Sequence, residues 1–172
     1  MARRLKKPYR NILKTAAVIA LIVILKWLWV TISTMGHGTF ESEKTEILRR
    51  RNYLADKLLV SPEGVINEMP EAIGSQFQGE WAMYSCSMMS AALANISMLY
   101  PDEKEKSVGQ IDSLIKIVMS PELRQFDAAR WDEDPLESLD SDQSHMSYLS
   151  ILAWMISSYK TAGGNDKYDE LY

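Results

Sequence analysis

LDSDQSHMSYLSILAWMISSYK, Leu139 to Lys160, passes from an acidic turn straight into one of the most apolar segments of the chain. Met146, Leu149, Leu152, Ala153, Trp154, Met155 and Ile156 point in nearly every direction on a helix. That pattern predicts a helix buried all round rather than one with a wet face. Gly163-Gly164 supplies a C-cap for it. Asn165 or Asp166 can then cap a following helix whose first turn is KYDELY.

Working outward, Trp81 to Pro101 (WAMYSCSMMSAALANISMLYP) contains no charge at all. Ser85, Ser87, Ser90, Asn95 and Ser97 would each cost free energy in lipid, so a buried helix of the body is favoured over a second membrane span. Pro101-Asp102-Glu103 ends that helix and caps the next. In EKEKSVGQIDSLIKIVMS, Val108, Ile111, Ile115 and Val118 recur at helical spacing with charges opposite, which predicts one wet face. Ser120-Pro121 reads as its stop, and a long acidic connection, Asp127 to Asp142, follows. The order is buried helix, amphipathic helix, buried helix, start of another, which is the inner–outer alternation of stacked α-hairpins. No strand-like alternation competes, so the expected class is all-α. The chain ends at Tyr172, about one turn into a capped element. The expectation is therefore an N-terminal piece of a longer array, or a module completed by a partner.

Toward the N-terminus, Glu41 to Val60 reads as an amphipathic helix with Ile47, Leu48, Leu54, Leu58 and Leu59 on one side and Arg49-Arg50-Arg51 on a solvated face. SPEGVINEMPEAIGSQFQG, with two prolines and three glycines, reads as a break in regular structure. The expected organisation is a basic segment over 1–14, a transmembrane anchor over 15–33, a linker with its amphipathic helix over 34–77, and a helical-hairpin domain over 78–172.

Charge supports the anchor. The net charge of −4 hides an asymmetry: residues 1–33 hold seven of the 19 basic residues and no acid, leaving 12 basic against 23 acidic residues in the rest. A basic head on an acidic body excludes a nucleic-acid binder with a diffuse basic face. The run from Ala16 to Ile32 is apolar except for Lys26 and Thr31, just long enough to cross a bilayer. Lys26 can snorkel outward, and Trp27 and Trp29 suit an interfacial belt. A cleaved signal peptide is disfavoured because Trp27-Leu28-Trp29-Val30 lacks the small residues cleavage needs. The positive-inside rule keeps the N-terminus in the cytoplasm and sends residue 35 onward to the periplasm or exterior. Cys86 is the only cysteine, which excludes a disulfide-stapled domain; a small buried hydrophobe is its plain reading.

The segment from Ser144 to Tyr172 resembles a stretch of (α/α) toroid proteins similar to linalool dehydratase/isomerase. Tyr148, Tyr159 and Gly164-Asn165-Asp166-Lys167-Tyr168-Asp169 match that family's Tyr-x-Gly-His helix start, later Tyr and Gly-Asp-Asp-(Arg/Lys)-Tyr-Asp turn. The family's Gly-His pair falls on Ser150-Ile151, so its catalytic histidine has no counterpart there. The resemblance implies a barrel of hairpins, here incomplete, on a fold that hosts glycan hydrolases, lyases and terpene-modifying enzymes alike.

Loops at the ends of inner helices form the mouth of such a toroid, which makes Asp140, Asp142 and His145 candidates for a rim. On one reading His145 is a general acid/base oriented by a carboxylate. On the other, Ser144 or Asp142 caps the helix and His145 is a first-turn surface residue. Glu80 and Trp81 would face the same mouth, a carboxylate beside an aromatic as in sugar sites, and Tyr148 and Trp131 complete the candidate binding residues. Asp132, Glu133, Asp134 and Glu137 add acids to the loop, but their spacing fails the EF-hand pattern. His37 reads as a solvated linker residue. No phosphate loop, metal-ligand spacing or hydrolase serine motif is present, so no cofactor or metal is expected. Two functions remain. One is a membrane-anchored extracytoplasmic helical module that works through a protein partner, self-association or further chain. The other is a toroid-class hydrolase or lyase acting on a glycan or small alcohol, with Asp142, His145 and Glu80 near its site.

Overall fold

The computed structural model describes residues 7–34, 40–139 and 145–171, and among these the chain is all-helical with no strand. His37, Asp140, Asp142 and Ser144 lie outside the described residues. In chain order the helices are α1 (Lys7–Thr34), α2 (Phe40–Leu58), α3 (Pro62–Asn67), α4 (Ser75–Leu99), α5 (Lys104–Val118), α6 (Pro121–Trp131) and α7 (Met146–Thr161). Short 3₁₀ turns stand at Glu71–Ile73, Pro101–Glu103 and Asp166–Leu171. Two compact units divide between Glu46 and Ile47.

The first unit is dominated by α1. Its stretch Lys14–Thr31 is the one helix among the described residues that is long and apolar enough to cross a membrane, and none of that stretch is buried. The side chains that hydropathy would place in lipid are open, up to Trp29 at 74% exposure. Thr31 donates its hydroxyl hydrogen to the Trp27 carbonyl at 2.9 Å, so that hydroxyl is satisfied inside the helix.

The second unit is built around α4, which packs against α5, α6 and α7. Met83, Cys86 and Leu93 of α4 meet Ile111, Leu114 and Ile115 of α5 and Met155 and Ile156 of α7 in one core. Ser87, Ser90 and Ser97 are buried in α4, yet each returns its hydroxyl hydrogen to its own helix, at the carbonyls of Tyr84, Cys86 and Ala94. That removes the cost of burying them. At Gly79 a Cβ would stand 2.7 Å from the Phe126 Cβ, so the glycine is what lets α4 and α6 approach.

Several expectations hold. The wet face of α5 is as the spacing predicts, with Ile111, Ile115 and Val118 fully buried. Helix α7 ends in a Schellman motif: Gly163, at φ +94°, donates to the Lys160 carbonyl and Gly164 to that of Tyr159, each at 2.9 Å. Cys86 is fully buried, and burial pushes its thiol up to about 12.

Other expectations are corrected. The Ser-Pro-rich stretch after Val60 is not a break, because Ser61 caps α3 and α4 already begins at Ser75. Nor is Ser120-Pro121 only a stop: Ser120 accepts the Leu123 N–H at 3.3 Å and starts α6, so the beginning of the expected acidic connection, residues 127–131, is helix. Arg51 is not solvated. It is buried, paired with Glu103 at 2.5 Å, and shares the inner face of α2 with Ala55 and Leu58, whereas Leu54 is exposed. Helices α4 and α7 are not buried all round. Trp81, Tyr84 and Met88 on one, and Met146 and Trp154 on the other, are open to solvent.

Candidate functional site

The site is set by how α6 presents its inner face. With Ser120 fixing the start, Leu123, Phe126 and Asp127 fall at i, i+3 and i+4 and are all buried. Two of them are core hydrophobes; the third is a carboxylate that must find a partner or pay the desolvation of a lone charge. The partner is His145. It occupies the N-cap position of α7 without capping it, and it is 3% exposed against 1% for Asp127. The imidazole Nδ1 lies 2.6 Å from Asp127 Oδ2, a short, buried bond that ties the last turns of α6 to the first of α7.

The chain then turns back on itself. Asp132, the C-cap of α6, adopts a left-handed conformation (φ 58°, ψ 26°), which an aspartate tolerates better than most residues. The reversal brings Glu133 Oε2 to 4.0 Å from His145 Nε2. Both atoms are buried and neither has a hydrogen-bond partner among the described residues. The following residue locks the turn. Asp134 Oδ2 receives Arg124 Nε at 2.6 Å, its Oδ1 receives the Leu136 N–H at 2.9 Å, and Arg124 also donates to the Met119 carbonyl. Burial alone would raise the Asp134 carboxyl, but these donors outweigh it and hold the group below its ordinary value. The indole of Trp131 stands edge-on to the imidazole, ring centres 6.4 Å apart.

Chemically this is an imidazole oriented by a buried carboxylate through Nδ1, with Nε2 turned toward a second carboxylate. That is the orienter–base relation of a general acid/base pair. It is equally a structural clasp between two helices.

The structure brings two of the expected residues together, His145 and Trp131. The surface reading of His145 is overturned, since the ring is buried. Its carboxylate is Asp127, which the sequence reading left unmarked inside a loop; its place on the inner face of a Ser-Pro-Glu-capped helix was the available signal. Glu80 is half-buried and Trp81 is 57% exposed on α4, and among the described residues no hydrogen bond, ion pair or ring contact joins either to His145. Tyr148 lies in the core, donating its hydroxyl to the Val118 carbonyl at 3.0 Å, with burial pushing its phenol well above the usual range.

The C-terminal residues that carry the toroid resemblance act as ties. Tyr159 donates to Asn165 Oδ1, and Tyr168 and Lys167 converge on Asp112 of α5 at 2.7 and 2.5 Å. Burial would raise Asp112, but hydrogen bonds from Lys116, Lys167 and Tyr168 bring it down to about 2. Among the described residues no three histidine, cysteine or carboxylate side chains group as metal ligands. No family model, curated protein or solved structure matches the chain.

Proposed function

We propose that this protein is a membrane-anchored helical module, in which α1 crosses the bilayer and residues 35 onward lie on the extracytoplasmic side, acting through a protein partner or further toroid-like chain. The observation that carries this reading is α1 itself. An 18-residue, largely apolar stretch in which no residue is buried has no reason to persist in water, where burying each such side chain is worth about 1.5–3 kcal/mol. The six basic residues before Thr15 supply the orientation, since anionic lipid and the positive-inside bias hold them in the cytoplasm. The exposed apolar sides of α4 and α7 favour a body that works against another surface.

The test is extraction and topology of the full chain. Alkaline carbonate should leave the protein in the membrane pellet, and protease added from the outer side should digest the body but spare the basic segment. Release by carbonate, or a body protected from outside protease, would overturn the reading.

A second reading, a toroid-class hydrolase or lyase acting on a glycan or small alcohol, is favoured by one observation: the Asp127–His145 pair, whose buried Nε2 has no hydrogen-bond partner among the described residues. On that reading His145 is the acid/base and Asp127 its positioning residue. Turnover of any glycan or small alcohol that His145→Gln abolishes, while the unfolding transition stays cooperative, would establish it.

A further inference from the structure

The outer side of α4 repeats with unusual regularity. Phe77, Trp81, Tyr84, Met88, Ala92, Asn95 and Leu99 are all exposed, at steps of three and four residues down the helix. That is the spacing of a seam that meets another helix rather than solvent. Phe77, Trp81, Met88 and Leu99 are each about half exposed or more, and from Trp81 to Leu99 the helix holds no charged residue. Everything else about the body opposes unspecific contact between copies, because residues 34–172 carry 12 basic against 23 acidic residues.

The order of side chains along the seam identifies the occupant. Turned about a two-fold axis through Met88, the seam pairs Met88 with Met88, Tyr84 with Ala92, Trp81 with Asn95, and Phe77 with Leu99. Each aromatic meets a smaller side chain, and the indole N–H faces an amide oxygen. A surface that is its own complement under rotation is what a two-fold homodimer requires. In the parallel alternative Trp81 would meet Trp81 and Tyr84 would meet Tyr84, crowding one end and leaving the other thin.

A groove of about 390 Å³ runs beside the seam, lined by Leu54, Leu58, Met69, Met88 and Ala92 together with the Lys57–Glu68 ion pair. It shares Met88 and Ala92 with the seam, so Tyr84 of one copy would enter the groove of the other. With three aromatics and three aliphatic chains per copy, burial comes to roughly 1,000 Å² over both copies, the lower edge of a specific interface.

We propose that α4 is a self-association surface and that the partner is a second copy of this chain, docked antiparallel about Met88. The proposal deepens the partner-dependent reading above and rests on it, but does not need α1 to lie in a bilayer.

The experiment is oxidative cross-linking of the full chain in detergent, in a Cys86→Ser background. Met88→Cys should form a covalent dimer. Trp81→Cys mixed with Asn95→Cys should cross-link between variants, while Trp81→Cys alone should not. Lys106→Cys, on the wet face of α5, should give no dimer. Tyr84→Glu, which would bury a carboxylate against Ala92 of the opposite copy, should weaken dimerisation at least tenfold with the helical circular dichroism unchanged. A monomer by sedimentation, a dimer that Met88→Cys does not capture, or a Trp81–Trp81 cross-link would each overturn the proposal. Failure here with carbonate-resistant membrane retention would sink the dimer and leave the anchor standing.

Discussion

Helix α4 and the Lys14–Thr31 stretch of α1 are both long and poor in charge, yet they are built for different surroundings. The exposed stretch of α1 is dominated by valine, isoleucine, leucine and tryptophan, large side chains that leave apolar area uncovered along its length. Helix α4 is made of alanine, serine, methionine and one cysteine, with its buried hydroxyls bonded back to its own carbonyls. Small side chains shorten the distance to neighbouring helices, as Gly79 does against Phe126. Average hydropathy blurs this difference. Side-chain size and the fate of each hydroxyl separate a helix that protein covers from one that offers its whole surface to a solvent other than water.

The sharpest way to break the contrast is to cut the ties that hold other helices around α4. Asp127→Ala leaves the buried His145 Nδ1 without its hydrogen-bond partner and should lower the stability of the body by about 1.5–3 kcal/mol. Leu21→Arg in α1 should leave the body's unfolding midpoint unchanged while weakening membrane retention. Chemical denaturation of both variants checks this pair, and equal losses would mean that α1 is part of the same cooperative core. Next in size, Gly79→Val forces a branched side chain against Phe126 and should cost about 1–3 kcal/mol, whereas Met98→Ala, exposed on α4 and outside the seam, should change stability by no more than about 0.5 kcal/mol. A similar loss at both positions would remove the distinction between the two sides.

A smaller effect belongs to Asp112. Its carboxyl is depressed from 3.8 to about 2, so its stabilising contribution is complete above the unfolded value and is lost as pH falls from about 4 toward 2. Asp112→Asn should flatten that part of the acid-unfolding curve, and a wild-type curve already flat there would contradict the assignment. The smallest change expected is at Asp132. Glycine there relieves the left-handed backbone and should raise the thermal midpoint slightly, by about 0.5 kcal/mol of stability; a loss would show that the aspartate side chain is itself needed in the turn.

What could be read from sequence divides along physical lines. Periodicity exposed α5, and paired glycines exposed the end of α7, because both signals are local. Ser61-Pro62-Glu63 and Ser120-Pro121-Glu122 were equally local and misled, since proline stops a helix from within but starts one at its first position. In both, the serine accepts an N–H three residues on and the helix begins. Misreading the second hid α6, and with it the reason for Asp127: once Leu123 and Phe126 are on an inner face, an aspartate beside them demands a partner. That partner lies 18 residues away, and no spacing rule announces a contact across a turn. The exposure of Trp81 and Met88 was invisible for another reason. An apolar helix looks the same in sequence whether three neighbours surround it or four.

The Asp127–His145 bond closes an 18-residue loop without a covalent link. In a chain whose one cysteine is buried and unavailable, it does the work of a staple. A single cut in the chain between those two residues would therefore not free α7, because the buried pair and the α4 core would still hold both fragments. Such a nicked molecule would run as two pieces on a denaturing gel and as one in solution.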